Sequence, residues 1–159
     1  FDARGFREEV IVIVKELCFH RKFESAIALC RSVGTKDGFG ISVLSNNTVA
    51  AIFSELGKGR QVSTAISLFD SLSEEGFAFD VYSYTSLITV CYRNKRYRDA
   101  ANVFRKMEED GCRPNLLTYN LMLNVYGRMG MPWRKLLLFL NDMKRTNIHP
   151  DVYTYNTLI

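Results

Sequence analysis

The chain has 159 residues, 47% hydrophobic and 13% aromatic, with a formal net charge of +4. That apolar content excludes a disordered polymer, and the longest apolar run, Val10–Val14, is far too short for a membrane-spanning helix. The mild positive charge permits a nucleic-acid partner without demanding one.

Taken in order, residues 1–45 read as a degenerate helical hairpin, 7–19 with 23–33. A glycine-rich insertion, Gly34-Thr-Lys-Asp-Gly-Phe-Gly40, follows it. A clearer hairpin is predicted within 46–80, from helices at 46–57 and 61–75. The next occupies 81–115, where Tyr84, Leu87, Ile88 and Cys91 mark the face of a helix at 81–93. Ala100, Val103, Phe104 and Met107 mark a second at 97–110. Residues 116–151 repeat the arrangement with helices at 116–129 and 132–146, and 152–159 open a further unit.

The period is explicit. Tyr82-Ser-Tyr-Thr-Ser-Leu-Ile88 returns as Leu117-Thr-Tyr-Asn-Leu-Met-Leu123 after 35 residues, and as Tyr153-Thr-Tyr-Asn-Thr-Leu-Ile159 after 36. Gly76, Gly111 and Asn147 share the column where a second helix should end in a left-handed residue. Pro114 and Pro150 follow where no helix should continue. A lone hairpin cannot bury both its faces, so the units must stack into an all-α solenoid. The chain starts at Phe1 and stops at Ile159 inside a repeat, so it is expected to be part of something longer. Its last unit should expose an apolar face, on which another copy or a protein partner could dock.

The four cysteines, Cys18, Cys30, Cys91 and Cys112, form no C-x-x-C pair and read as buried free thiols. His20 and His149 stand alone. Gly57-Lys-Gly-Arg60 lacks the upstream glycine and the Ser or Thr of a phosphate loop. No catalytic role, metal or cofactor is therefore expected of these residues.

The Tyr-Thr-Tyr-Asn-Thr-Leu-Ile phrase, the Leu-Phe or Val-Phe second helix, the closing Gly and the Pro-Asp or Pro-Asn pair resemble the pentatricopeptide repeat family. The likeness is to its plain class of uniform 35-residue repeats, common in land plants, and is strongest over 81–159. The tetratricopeptide family is the rival helical-hairpin array. It has a 34-residue period and a Trp, Leu-Gly, Tyr pattern not found here; the single Trp133 begins a second helix.

The resemblance implies a right-handed superhelix that binds single-stranded RNA, one base per repeat, with first helices lining the groove. Two residues per repeat would select the base: Ala50 with Asp80, Thr85 with Asn115, Asn120 with Asp151, and Asn156 with a partner beyond the chain. Asp only accepts, which suits the ring N–H of uracil or guanine; Asn can also donate, which suits the ring nitrogen of adenine or cytosine. With the family's preference for Thr on purines and Asn on pyrimidines, the expected address is 5′-adenine-uracil-pyrimidine-3′. Ala50 has no polar atom, so its unit should discriminate poorly. Tyr82, Leu117 and Tyr153 occupy the family's base-stacking position, whereas Asn47 in that column would be a poor wedge.

Lys58, Arg93 and Arg128 recur every 35 residues near the ends of first helices, a ladder that could track phosphates. Each set of residues also has a plain structural reading. Asp80, Asn115 and Asp151 could cap helices, the wedges could pack between hairpins, and the cations could complement helix dipoles. Tyr84, Tyr119 and Tyr155 read as core. The resemblance further implies an organelle, chloroplast or alternatively mitochondrion, and work in RNA processing, splicing, stabilisation or translation. A protein-binding scaffold is the alternative use of the same groove.

Overall fold

The computed structural model describes residues 3–20, 22, 24–26, 28–29, 32 and 45–159. Cys30, the side chain of Cys18 and the Gly34–Gly40 insertion lie outside what it describes, as does most of the helix expected over 23–33. Residues 24–26, 28–29 and 32 of that helix are helical.

The remaining helices are α1 (Ala3–Phe19), α2 (Asn46–Lys58), α3 (Val62–Glu74), α4 (Val81–Arg93), α5 (Tyr97–Glu109), α6 (Leu116–Arg128), α7 (Trp133–Arg145) and α8 (Val152–Leu158). From α2 to α7 each has 13 residues, a rod of about 20 Å. No strand occurs among the described residues, and no helix there is long and apolar enough to cross a membrane.

Starts and stops follow local chemistry. Ser45, Asp80, Asn115 and Asp151 sit in extended backbone before the first helices. Their side chains accept the N–H of Thr48, Ser83, Thr118 and Thr154 in turn, satisfying donors that the helix leaves orphaned. Second helices close on Gly76, Gly111 and Asn147, with φ of 82°, 71° and 63°. In each case the next N–H reaches back to Leu72, Met107 or Met143, which is the closing bond of a Schellman motif.

A second left-handed column lies in the turns within hairpins, at Arg60, Lys95 and Gly130, with φ of 57°, 60° and 71°. Only the last is glycine. A side chain in this region costs roughly 1–2 kcal/mol, partly offset by the chain entropy that glycine loses on folding. Lys95→Gly should therefore stabilise the protein by about 0.5–1 kcal/mol, read as a higher urea midpoint with unchanged slope. A lower midpoint would refute this account of the turn.

First helices form the continuous inner row α1–α2–α4–α6–α8. Each of α3 and α5 packs on its own first helix and on that of the next unit. The faces marked in the sequence carry this packing: Leu87, Ile88, Cys91, Ala100, Phe104 and Met107 are all 2% exposed or less. Tyr84 lies against Phe69 and Phe79 of the preceding unit, with ring centroids at 5.8 and 5.5 Å. Its hydroxyl donates to Asp110 of its own second helix. Tyr119 repeats the role between Phe104 and Phe139.

The expectation that Tyr155 is also core is corrected: it is 47% exposed. Among the described residues no second helix of its own unit packs on α8, so Tyr155 lacks the counterpart of Asp110 beside Tyr84 and of Phe139 beside Tyr119. Burial pushes the Cys91 thiol up to about 12, as befits an inert core residue. Gly57 lies where α2 meets α4; a Cβ there would stand 2.7 Å from Val90. Close helix packing thus accounts for this glycine.

Candidate nucleic-acid interface

Two neighbouring grooves open along the inner row, and they gather most of the residues singled out above. The first, about 490 Å³, lies between the ends of α2 and α6 across α4, and is lined by Lys58, Tyr82, Thr85, Arg93, Asn115 and Leu117 among others. The second, about 390 Å³, is lined by Arg93, Leu117, Asn120, Asn124, Asp151 and Tyr153 together with flanking residues. Leu117 and Arg93 belong to both. Each groove therefore has an apolar wall on either side, one of the expected selector pairs between the walls, and a cation beside it.

The walls are bare apolar surface. Tyr82, Leu117 and Tyr153 are 58%, 65% and 57% exposed, so packing between hairpins does not account for them. Asn47, in the same column of the earlier unit, is exposed too. Lys58, Arg93 and Arg128 each end a first helix, where a cation complements the dipole. Lys58 pairs with Glu55 at 2.7 Å; Arg93 and Arg128 form no ion pair among the described residues.

The expected selector pairs are hydrogen-bonded into the fold. Thr85 is buried and its hydroxyl donates to Val81 O at 2.7 Å. Asn115 Oδ1 accepts both the N–H and the hydroxyl of Thr118, at 3.0 and 2.9 Å. Asp151 Oδ1 accepts the Thr154 N–H at 2.8 Å and lies 2.8 Å from the Thr154 hydroxyl, whose one proton it shares with Asn120 Oδ1. These bonds hold the Asp151 carboxyl below its ordinary value, the Thr154 N–H first among the causes. The sign follows: a lowered carboxyl contributes stability above its unfolded value near 4, and the contribution is lost as pH falls through the folded value.

Capping occupies one terminal atom only. Nδ2 of Asn115 and Oδ2 of Asp80 and Asp151 make no hydrogen bond among the described residues. A cap and a free terminal donor or acceptor thus coexist in one side chain. Asn120 is buried, with Oδ1 2.6 Å from the Thr154 hydroxyl and Nδ2 3.4 Å from Asp151 Oδ1. Asn156 is exposed on α8, and Ala50 is fully buried. Beside Ala50, Asn46 takes over: its Oδ1 accepts the Ser83 hydroxyl at 2.7 Å and the Asp80 N–H at 3.0 Å.

The hydroxyls of Ser83, Thr118 and Thr154 were not among the residues expected to matter. The signal was there: the middle residue of the recurring Tyr-x-Tyr or Leu-x-Tyr phrase is Ser or Thr each time. Among the described residues no three His, Cys, Asp or Glu side chains gather to hold a metal ion.

An array of helical hairpins with two lined grooves along its first helices defines the class as a helical-repeat solenoid. The family model described as Pentatricopeptide repeat domain matches residues 67–129, and that of the PPR repeat family matches residues 116–159. The chain belongs to the pentatricopeptide repeat family.

A chloroplastic pentatricopeptide repeat-containing protein of Arabidopsis thaliana is 30% identical over 96% of this chain and 19% of its own length. Chloroplastic pentatricopeptide repeat-containing protein 10 of Zea mays gives the same identity and coverage. The chain thus spans about a fifth of these relatives. A further Arabidopsis thaliana member is 50% identical over 80% of this chain and 16% of its own length, and a mitochondrial one is 28% identical over 95% of this chain and 30% of its own length.

The crystal structure of PPR10 from maize superposes with a TM-score of 0.68 at 28% identity, over 94% of this chain and 21% of that one. PPR10 in complex with an 18-nt psaJ RNA element superposes with a TM-score of 0.65 at the same identity and coverage.

Proposed function

We propose that this chain binds single-stranded RNA along its inner row of helices, one base per repeat, within a longer organellar protein. The observation that carries the reading is the recurrence of one groove pattern: exposed apolar walls, a selector pair with a free terminal atom, and a cation. A base has two apolar faces and a hydrogen-bonding edge, so a slot of this make suits it. Stacking on such walls is worth about 1–3 kcal/mol per base. The likeness to a protein crystallised with RNA supports the reading.

In this reading the repeats are 46–80, 81–115, 116–151 and the opening 152–159, with 1–45 a degenerate hairpin. Tyr82, Leu117 and Tyr153 stack, Lys58, Arg93 and Arg128 meet phosphates, and the selectors read 5′-adenine-uracil-pyrimidine-3′. The role is steric, holding one transcript site for processing, splicing, stabilisation or translation, with no bond chemistry in these repeats. The names of the relatives favour the chloroplast, with the mitochondrion as alternative.

Titration of labelled single-stranded RNAs carrying that address, at low and high salt, tests it. Binding should weaken as salt rises. Arg93→Ala with Arg128→Ala should flatten the slope of log affinity against log salt by about 1.4, the share of two single-strand phosphates. No binding at micromolar protein in low salt would sink the reading for this stretch and favour a protein-binding groove.

A further inference from the structure

We infer that the buried Thr118 hydroxyl is a positioning residue for base selection: it ties the selector pair Thr85 and Asn115 into one unit and, together with the Thr118 N–H, holds Asn115 Oδ1 in the cap so that Nδ2 is left for the groove. The inference rests on the proposed base-reading role of that pair. Thr118 is fully buried and cannot itself touch a bound base. Its hydroxyl lies 2.8 Å from the Thr85 hydroxyl and 2.9 Å from Asn115 Oδ1, so it stands between the two.

Counting protons gives the direction. An amide has one accepting end and one donating end. Asn115 Oδ1 takes the Thr118 N–H, which only an oxygen can accept, and the Thr118 hydroxyl as well. Nδ2 is left as the only free polar end, and Asn115 lines the groove. The side chain therefore offers a donor, which is what the ring nitrogen of adenine requires. Thr85 has one proton, which Val81 O and Thr118 Oγ1 share. With the Thr118 proton on Asn115 Oδ1, that share is the hydrogen bond that links the two hydroxyls and sets Thr85 beside the amide.

The next unit has a related arrangement with other selectors: Thr154 Oγ1 lies 2.6 Å from Asn120 Oδ1 and 2.8 Å from Asp151 Oδ1, and the two oxygens share its one proton. The unit before it lacks the bridge. There Ser83 gives its hydroxyl to Asn46, and Ala50 has nothing to offer. The molecule thus contains its own control: the hydroxyl in this column should govern base discrimination at 118 and not at 83.

The symmetry of the cap sharpens the expectation. Rotating an amide by half a turn exchanges donor for acceptor; rotating a carboxylate changes nothing. Loss of the hydroxyl should thus blur recognition when residue 115 is Asn, and have little effect when it is Asp.

The experiment compares single-stranded RNAs that differ only at the base opposite 81–115, using wild type, Thr118→Val, Thr118→Ser, Asn115→Asp, the double variant Asn115→Asp/Thr118→Val, and Ser83→Ala. Valine keeps the branched shape and the N–H. Thr118→Val should lower the adenine-over-guanine ratio roughly fivefold, the scale of one neutral hydrogen bond. Discrimination at neighbouring bases should hold.

Serine should restore the ratio, the double variant should match Asn115→Asp, and Ser83→Ala should leave selection at its own base unchanged. An unaltered ratio in Thr118→Val, or equal losses at every base, overturns the inference. If Asn115→Asp moves the preference while Thr118→Val does not, the inference fails and the base-reading role stands. If neither variant moves it, both fail.

Discussion

Asn115→Asp should turn the unit 81–115 from an adenine reader into a guanine reader. The exchange leaves the fold almost untouched, because Asp caps a helix as well as Asn and Oδ1 keeps both of its donors from Thr118. What changes is the free terminal atom, from a donating Nδ2 to an accepting oxygen. Adenine offers an unprotonated ring nitrogen at the edge in question, whereas guanine offers a ring N–H. Each mismatch leaves one polar atom unpaired in a desolvated slot, at a cost of about 2 kcal/mol.

The adenine-to-guanine ratio should accordingly invert, from roughly thirtyfold in favour of adenine to roughly thirtyfold in favour of guanine, each the equivalent of that cost. Competition between two RNAs that differ at this one base reads the shift directly. An unchanged ratio, with thermal stability also unchanged, would show that Asn115 serves only as a cap.

How much of this was legible in the sequence depends on the distance over which each feature is determined. Helix ends were, because caps and left-handed closures are set by residues within one turn: Asp80, Asn115 and Asp151 open helices, and Gly76, Gly111 and Asn147 close them. The second left-handed column was not, since Arg60 and Lys95 are residues that nothing local selects for positive φ; the turn imposes it on them.

Core assignment was legible where a full hairpin surrounds the residue, and failed at Tyr155. Burial there depends on a helix that must come from outside the unit's first element. The candidate site was legible as columns, one residue at a time. Bonds between columns were not. The Thr118 hydroxyl meets Thr85 across 33 positions, and Ser83 meets Asn46 across 37. A period of 35 identifies equivalent residues but says nothing of which partners face one another across two helices.

The solenoid also sets what a core mutation should do. Phe104→Ala should cost about 4 kcal/mol, as aromatic truncations in packed cores do. Phe104 is 2% exposed on α5 and touches two elements of the next unit, Tyr119 at 6.3 Å and Phe139 at 5.7 Å between ring centroids. It therefore belongs to an interface between repeats as much as to its own hairpin.

Stability of such arrays is a sum of unit terms and nearest-neighbour terms, so removing this ring should uncouple the two sides unequally. The α6–α8 end should lose hydrogen-exchange protection first, while α2 and α4, held by Phe53, Phe69 and Tyr84, keep theirs. Arg105→Ala, on the exposed side of the same helix and paired with Glu109 only at 3.7 Å, should change stability by less than about 0.5 kcal/mol. Uniform loss of protection along the chain in Phe104→Ala would mean that the array unfolds as one cooperative block. In that case the ring contributes to a global core, and the boundary at residue 115 has no energetic meaning.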